Sequence, residues 1–309
     1  MGNTAKQSPS LNRGPIAAKL LAKMNRKRIL EDPLISAPGT GHETEEALQA
    51  TVASISDFAG MHPSHAAYVY TQNHVCALAE HLTGYKEMAP FAAIISKAEH
   101  LYMPGGAPLS PLTTSYFTCW SFFDACVGAA NETIGGTLLE FCAAFDIGNE
   151  LSRLIRLMLE SRMGLYINKG REGHLLVIEE LVTGTICKAI VPASDFGEKG
   201  ELWYVRVLPP PFPGESAHVV FTTPYIVMQP GLREWLAYFN RILSPQSRTA
   251  DYGHHMKYGP TRAYWNDFVF EAYVNHKVGG IYLAGLPDIP SSRPHSEVNR
   301  SSDVNTRKQ

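Results

Sequence analysis

Cysteine is sparse in this chain: five in 309 residues, an odd number with no C-x-x-C pair. That usage excludes a disulfide-stapled scaffold and points to reduced thiols packed in a core. Cys119 and Cys126 fall seven apart on an expected helix, about 10 Å of rise, too far for a disulfide. Long apolar runs are missing too, and no stretch approaches the roughly 20 residues of a membrane span. Lys19 and Lys23 interrupt Pro15 to Met24, the one candidate leader segment. Lys6 stands where N-myristoylation wants Ser or Thr. No membrane span and a cytoplasmic location are therefore the expectation. Reaction signatures are equally scarce. There is no phosphate-cradling loop ending in Gly-Lys-Ser/Thr, no dinucleotide fingerprint after a strand, no G-x-S-x-G elbow and no H-E-x-x-H.

Formal charge is also nearly absent, −2 from 27 basic and 29 acidic residues, but it is unevenly spread. Residues 1–40 carry Lys6, Arg13, Lys19, Lys23, Arg26, Lys27 and Arg28 against Glu31 and Asp32. Residues 291–309 are also basic, and the segment between carries 16 basic against 25 acidic side chains. An acidic body with basic ends repels phosphate at its centre, so nucleic acid is an unfavoured partner for the body. What the chain does hold is 45% hydrophobic and 10% aromatic residues, enough for a core and outside the range of disordered chains.

Periodicity divides the sequence into four parts. Residues 1–44 read as a partly disordered basic arm, in which Ile16, Leu20, Leu21 and Met24 share a helical face opposite Lys19, Lys23, Arg26, Lys27 and Arg28. Such a helix docks either on an outside partner or on its own acidic body. Residues 45–163 read as a bundle of six helices: 44–60, Ser64 to Gly84, Pro90 to Tyr102, Thr113 to Val127, Glu132 to Phe145, and Asn149 to Met163. From residue 164 to 290 the period changes to two. Strands are expected at Leu175–Glu180, Thr185–Val191, Leu202–Leu208 and His218–Met228, with turns at Lys169–Gly173, Thr183–Gly184 and Phe196–Gly200. A helix at Leu232–Leu243, a polar loop at Pro245–Gly259, a helix at Thr261–His276 and a short strand at Ile281–Leu283 follow. Residues 291–309 read as a disordered tail. The expected fold is α+β, an N-terminal helical bundle followed by a small antiparallel β meander or barrel with C-terminal helices.

The phrase Leu181-Val182-Thr183-Gly184, followed by Gly200-Glu201-Leu202-Trp203 and the run from Val205 to Pro209, resembles a segment of bacterial proteins that often carry a SEC-C zinc motif. The similarity covers Gly173 to Pro210. It implies a fold fragment and a bacterial setting; the closely spaced cysteines of the zinc motif itself are absent.

Three groups of residues carry candidate chemistry. Asp251, His254 and His255, with Asp267 on the following helix, supply the imidazole and carboxylate donors of a divalent metal site, and Asp267 doubles as a catalytic candidate. Adjacent histidines usually point apart, so the alternative is a polar loop bonded to backbone. Asp124 lies among Trp120, Phe123 and Cys126, where a carboxylate must be paired or shifted in pKa. It reads either as a catalytic acid or as a structural link to Arg153, Arg156 or a helix cap. The arm cations Lys19, Lys23, Arg26, Lys27 and Arg28 are the binding candidates. His62, His65, His74 and His81 read as exposed or core-edge residues. The leading expectation is a non-enzymatic interaction or regulatory protein with a protein partner and no cofactor. The competing ones are a metal-assisted hydrolase using residues 251–267 and a nucleic-acid-associated factor using the arm.

Overall fold

The computed structural model describes residues 14–27, 58, 60–102, 111–192, 197–261, 263–274 and 281–289. The expected helix over 44–60, most of the arm and the tail after 290 lie outside these. Helix α1 (Pro15–Lys27) buries Ala17, Leu20, Leu21 and Met24. It packs with α2 (Pro63–Leu82), α3 (Ala89–Tyr102), α4 (Pro111–Phe123), α5 (Ile134–Phe145) and α6 (Asn149–Glu160) around a core that includes Tyr68, Phe91, Phe123, Phe141 and Ile155. The basic arm's apolar face is thus spent inside this molecule. No described helix is long and apolar enough to cross a membrane.

Local sequence explains the helix ends. Helix α2 starts at Pro63, whose fixed φ suits a first turn, and its cap is His62, whose ring accepts from the Ser64 amide at 3.2 Å. Ser64, where the helix was expected to begin, is buried and donates its hydroxyl to Glu215. Helix α1 is capped from far away: the Glu132 carboxylate accepts from the amides of Ile16 and Ala17 at 3.0 Å, an anion on the positive end of the helix dipole. A Cβ on Gly14 would lie 2.1 Å from that carboxylate, so the approach requires glycine. Glu132→Ala should cost about 1 kcal/mol and free α1 first. A lower urea midpoint together with protease cleavage within 14–27 would establish this; an unchanged cleavage pattern would refute it.

The β region is a closed barrel with an extension. Strands β1 (Met163–Glu172), β2 (Leu175–Glu180), β3 (Ile186–Ile190), β5 (His218–Val220) and β4 (Leu202–Leu208) pair in that order, and β4 returns to pair antiparallel with β1. Beyond β4 the sheet continues through β6 (Tyr225–Gln229), β8 (Ile281–Ala284) and β7 (Tyr273–Val274). The antiparallel meander is corrected in two ways, because β3–β5 and β6–β8 are parallel pairs. The expected single strand His218–Met228 is broken around Thr222, whose hydroxyl accepts from the Arg206 amide at 2.9 Å. β1 was expected only as a helix end and a turn.

Alternation along the strands creates two environments. Tyr166, Leu176, Ile178, Ala189, Trp203, Val205 and Val220 fill the barrel. The outward residues serve two helical layers. Leu208, Val219 and Ile190 join the N-terminal core, while Met163, Leu165, Leu202 and Tyr204 pack against α7 (Leu232–Ile242), α8 (Arg248–Tyr258) and α9 (Tyr264–Ala272). The barrel is therefore held between two helical layers.

Candidate functional site at the mouth of the barrel

Because β1, β2, β3, β4 and β5 run in alternating directions, the start of β1, the end of β2, the start of β3, the end of β4 and the start of β5 meet at one end. A cavity of about 220 Å³ opens there, with Arg162, Glu180, Cys187, Val207, Pro209 and His218 among its walls. Its centre is an ion pair. Arg162 donates from Nη1 to Glu180 Oε1 at 2.7 Å and from Nη2 to Oε2 at 3.2 Å, a bidentate fork. The guanidinium also donates to the Met163 carbonyl and lies 4.7 Å over the Tyr252 ring of α8, so one C-terminal helix sets its orientation. Glu180 receives a further bond from the Thr183 hydroxyl at 2.7 Å. A Cβ on Gly164 would fall 2.6 Å from the Tyr166 ring and 2.8 Å from Glu180 Oε1, so glycine there lets ring and carboxylate sit side by side.

Burial sets the protonation states of this mouth. It pushes the Cys187 thiol up to about 11, with the nearby Glu180 carboxylate adding to the effect, so sulfur carries its proton at neutral pH. Burial lowers His218, partly opposed by a bond to the Ser216 backbone, and the ring is neutral. Burial alone would weaken the charge of Arg162, but the Glu180 carboxylate outweighs it and holds the guanidinium above the ordinary arginine range. The mouth thus brings together a buried ion pair, a protonated thiol and a neutral imidazole.

No protein-family model, curated protein or solved structure matches this chain.

Behind the mouth lies a second charged cluster. Asp124, just past the end of α4, pairs with Arg206 of β4 and, at 3.0 Å, with Lys257 of α8. Arg206 also donates to the Ser161 hydroxyl at 3.1 Å, and Lys257 to the carbonyls of Leu159 and Ser161 at 2.5 and 2.8 Å. Burial pulls Lys257 below the usual lysine range, with Asp124 opposing the fall and Arg206 adding to it. This cluster ties the bundle, the barrel and the C-terminal layer together. Asp124 is the structural link that the sequence offered as one alternative, but its partners are Arg206 and Lys257, not Arg153 or Arg156. Arg153 instead pairs with Glu150.

The residues 251–267 do not gather. The expected polar loop is mostly helix α8, which buries Tyr252 and Met256 one turn apart. Asp251 accepts from the Ser247 hydroxyl at 2.6 Å and the Ser244 amide at 3.3 Å, fastening the start of that helix. His254 is exposed, whereas His255 turns inward onto Tyr238 at 2.9 Å. Asp267 accepts from Tyr102 of α3 and, among the described residues, has no hydrogen bond to either histidine. Among the described residues no three His, Cys, Asp or Glu side chains converge as metal ligands. Of the arm cations, Lys19 is exposed and Lys23 pairs with Glu87 at 3.2 Å; the side chains of Arg26, Lys27 and Arg28 lie outside the described set. Trp203, Tyr204 and Arg206 are buried and offer no stacking surface to a nucleic acid.

The pair Arg162–Glu180 is not among the candidate residues of the sequence, though one signal for half of it exists. Glu180 follows Leu176 and Ile178 at period two, which places a carboxylate in the inward register of an apolar strand. Such a group must find a cation. The identity of that cation depended on recognising β1.

Proposed function

We propose that this chain is a non-catalytic binding protein that takes a small polar molecule into the mouth of its barrel. The observation that carries the reading is the bidentate Arg162–Glu180 pair opening on a cavity of about 220 Å³. A cavity with a few convergent polar groups on a rigid frame suits recognition. The Cys187 thiol, which burial keeps protonated, supports binding over thiolate chemistry. The reading keeps the non-enzymatic class expected from the sequence but moves the site away from the arm, whose apolar face is already covered by the bundle.

The test is an NMR titration with imidazole, acetamide and urea as millimolar probes. Shifts should cluster at 161–166, 180–187, 207–209 and 218, and a rim variant, Thr185→Trp, should suppress them while leaving thermal unfolding unchanged. Thr185 is exposed at the edge of the cavity, which makes it a mild position for a plug. Shifts scattered over the surface, or retained in the plugged variant, would sink the proposal.

A further inference from the structure

We infer that the ligand of the barrel mouth is a zwitterion of the α-amino-acid type with a small uncharged side chain, bound by exchanging partners with the Arg162–Glu180 pair. This inference rests on the binding role proposed for the mouth and names its substrate class. Its starting point is charge balance. Arg162 and Glu180 neutralise each other through two parallel bonds, and their side chains are only 21% and 7% exposed. A simple carboxylate that displaced Glu180 from Arg162 would leave Glu180 buried, unpaired and beside a second anion. A simple amine that displaced Arg162 from Glu180 would strand the guanidinium. A molecule carrying both groups a few bonds apart avoids either outcome. Its carboxylate takes the fork of Arg162 and its ammonium takes the oxygens of Glu180, so two ion pairs replace one and no charge is left alone.

The surroundings fit the exchange. Arg162 is held from behind by the Tyr252 ring and the Met163 carbonyl, so it keeps its place when Glu180 moves aside. The Thr183 hydroxyl, which bonds Glu180 now, can follow the carboxylate. Val207 and Pro209 provide an apolar wall for an aliphatic side chain, and the remaining polar lining, Ser161, Tyr166, Thr185, Cys187 and His218, offers no full charge to a charged one. The volume, about 220 Å³, is below the roughly 300 Å³ at which sites for drug-sized molecules begin.

The experiment is calorimetry paired with NMR on the full chain, using L-valine and L-threonine as probes. N-acetylvaline, valinamide, L-aspartate and L-lysine serve as comparisons. L-valine or L-threonine should bind saturably and shift the Arg162 Nε signal. Removing either terminal charge, as in N-acetylvaline or valinamide, should weaken binding by about tenfold or more, as should Glu180→Gln. Arg162→Lys keeps the charge but loses the fork, and should weaken binding while preserving the fold. Equal binding of N-acetylvaline and L-valine would overturn the zwitterion. So would shifts at the mouth with imidazole, acetamide or urea but none with any amino acid; in that case the mouth would still be a binding site. Silence of the mouth towards every probe would overturn both readings together.

Discussion

Asp124→Ala is expected to destabilise the protein by about 3–5 kcal/mol, the cost of leaving buried cations without their anion. Asp124 stands between two of them, Arg206 at 1% and Lys257 at 10% side-chain exposure. Removing the carboxylate leaves Arg206 charged in a buried site, because a guanidinium does not give up its proton. Lys257 keeps two carbonyl acceptors and is already displaced toward its neutral form, so it adapts more easily. The order of effects follows: Asp124→Ala should be the most damaging, Arg206→Met intermediate, and Lys257→Met the mildest. A triple variant, Asp124→Leu with Arg206→Met and Lys257→Met, should recover much of the loss, since apolar side chains of similar size often replace a buried ionic cluster at little cost. Urea melts of the four proteins check this, and a triple variant no better than Asp124→Ala would refute it.

That cluster also marks how far the sequence could be read. A carboxylate among Trp120, Phe123 and Cys126 announced that a partner must exist, on desolvation grounds alone. Its identity was not legible, because Arg206 lies 82 positions along the chain and reaches Asp124 only once the barrel has closed. Strands β2 and β4 were recovered at their observed ends, since each alternates cleanly or is strongly β-prone. β1 was lost for a physical reason. Its second half, Asn168 to Glu172, is polar and contains Gly170 at φ 102, where the strand bulges and the Asn168 side chain accepts from the Gly170 amide. Polar residues and glycine read as a turn, yet here they form the projecting end of a hairpin with β2.

Helix α8 failed for a related cause. Pro245, Gly253 and Gly259 punctuate a polar stretch, and local propensity favours a loop. Tertiary burial of Tyr252 and Met256 overrides that propensity, and the Tyr252 hydroxyl also accepts from the Leu165 amide at 3.1 Å. Once α8 forms, His254 and His255 point in different directions, as adjacent residues on a helix must. The same helix delivers Tyr252 beneath Arg162 and Lys257 to Asp124. Both charged clusters therefore depend on an element that the residue pattern conceals.

Acidification should weaken the protein through His255, by about 2 kcal/mol between neutral pH and pH 4.5. Burial, reinforced by the neighbouring His254, lowers this imidazole from 6.5 to about 4. The groups facing it are Tyr238 of α7 and Tyr264 and Trp265 of α9, with Arg241 over the Tyr238 ring and Asp288 on Arg241. Among the described residues no carboxylate forms an ion pair with it. Because the folded pKa lies below the unfolded one, the unfolded chain binds more protons throughout the window from about 6.5 to 4. Stability is therefore complete above that window and falls as pH drops through it. A shift of this size corresponds to roughly 3 kcal/mol at 1.36 kcal/mol per unit, and solvent on the open side of the ring reduces it to about 2. His65 and His218 are also lowered by burial and act in the same direction, so the wild-type curve alone does not isolate His255. The difference between wild type and His255→Gln does, because glutamine keeps a polar partner for Tyr238 and never charges. Chemical denaturation at pH 7 and pH 4.5 should show the variant losing about 2 kcal/mol less than the wild type. Equal losses in the two proteins would show that the imidazole takes up its proton as readily in the fold as in the unfolded chain and would remove His255 as the acid-sensitive group.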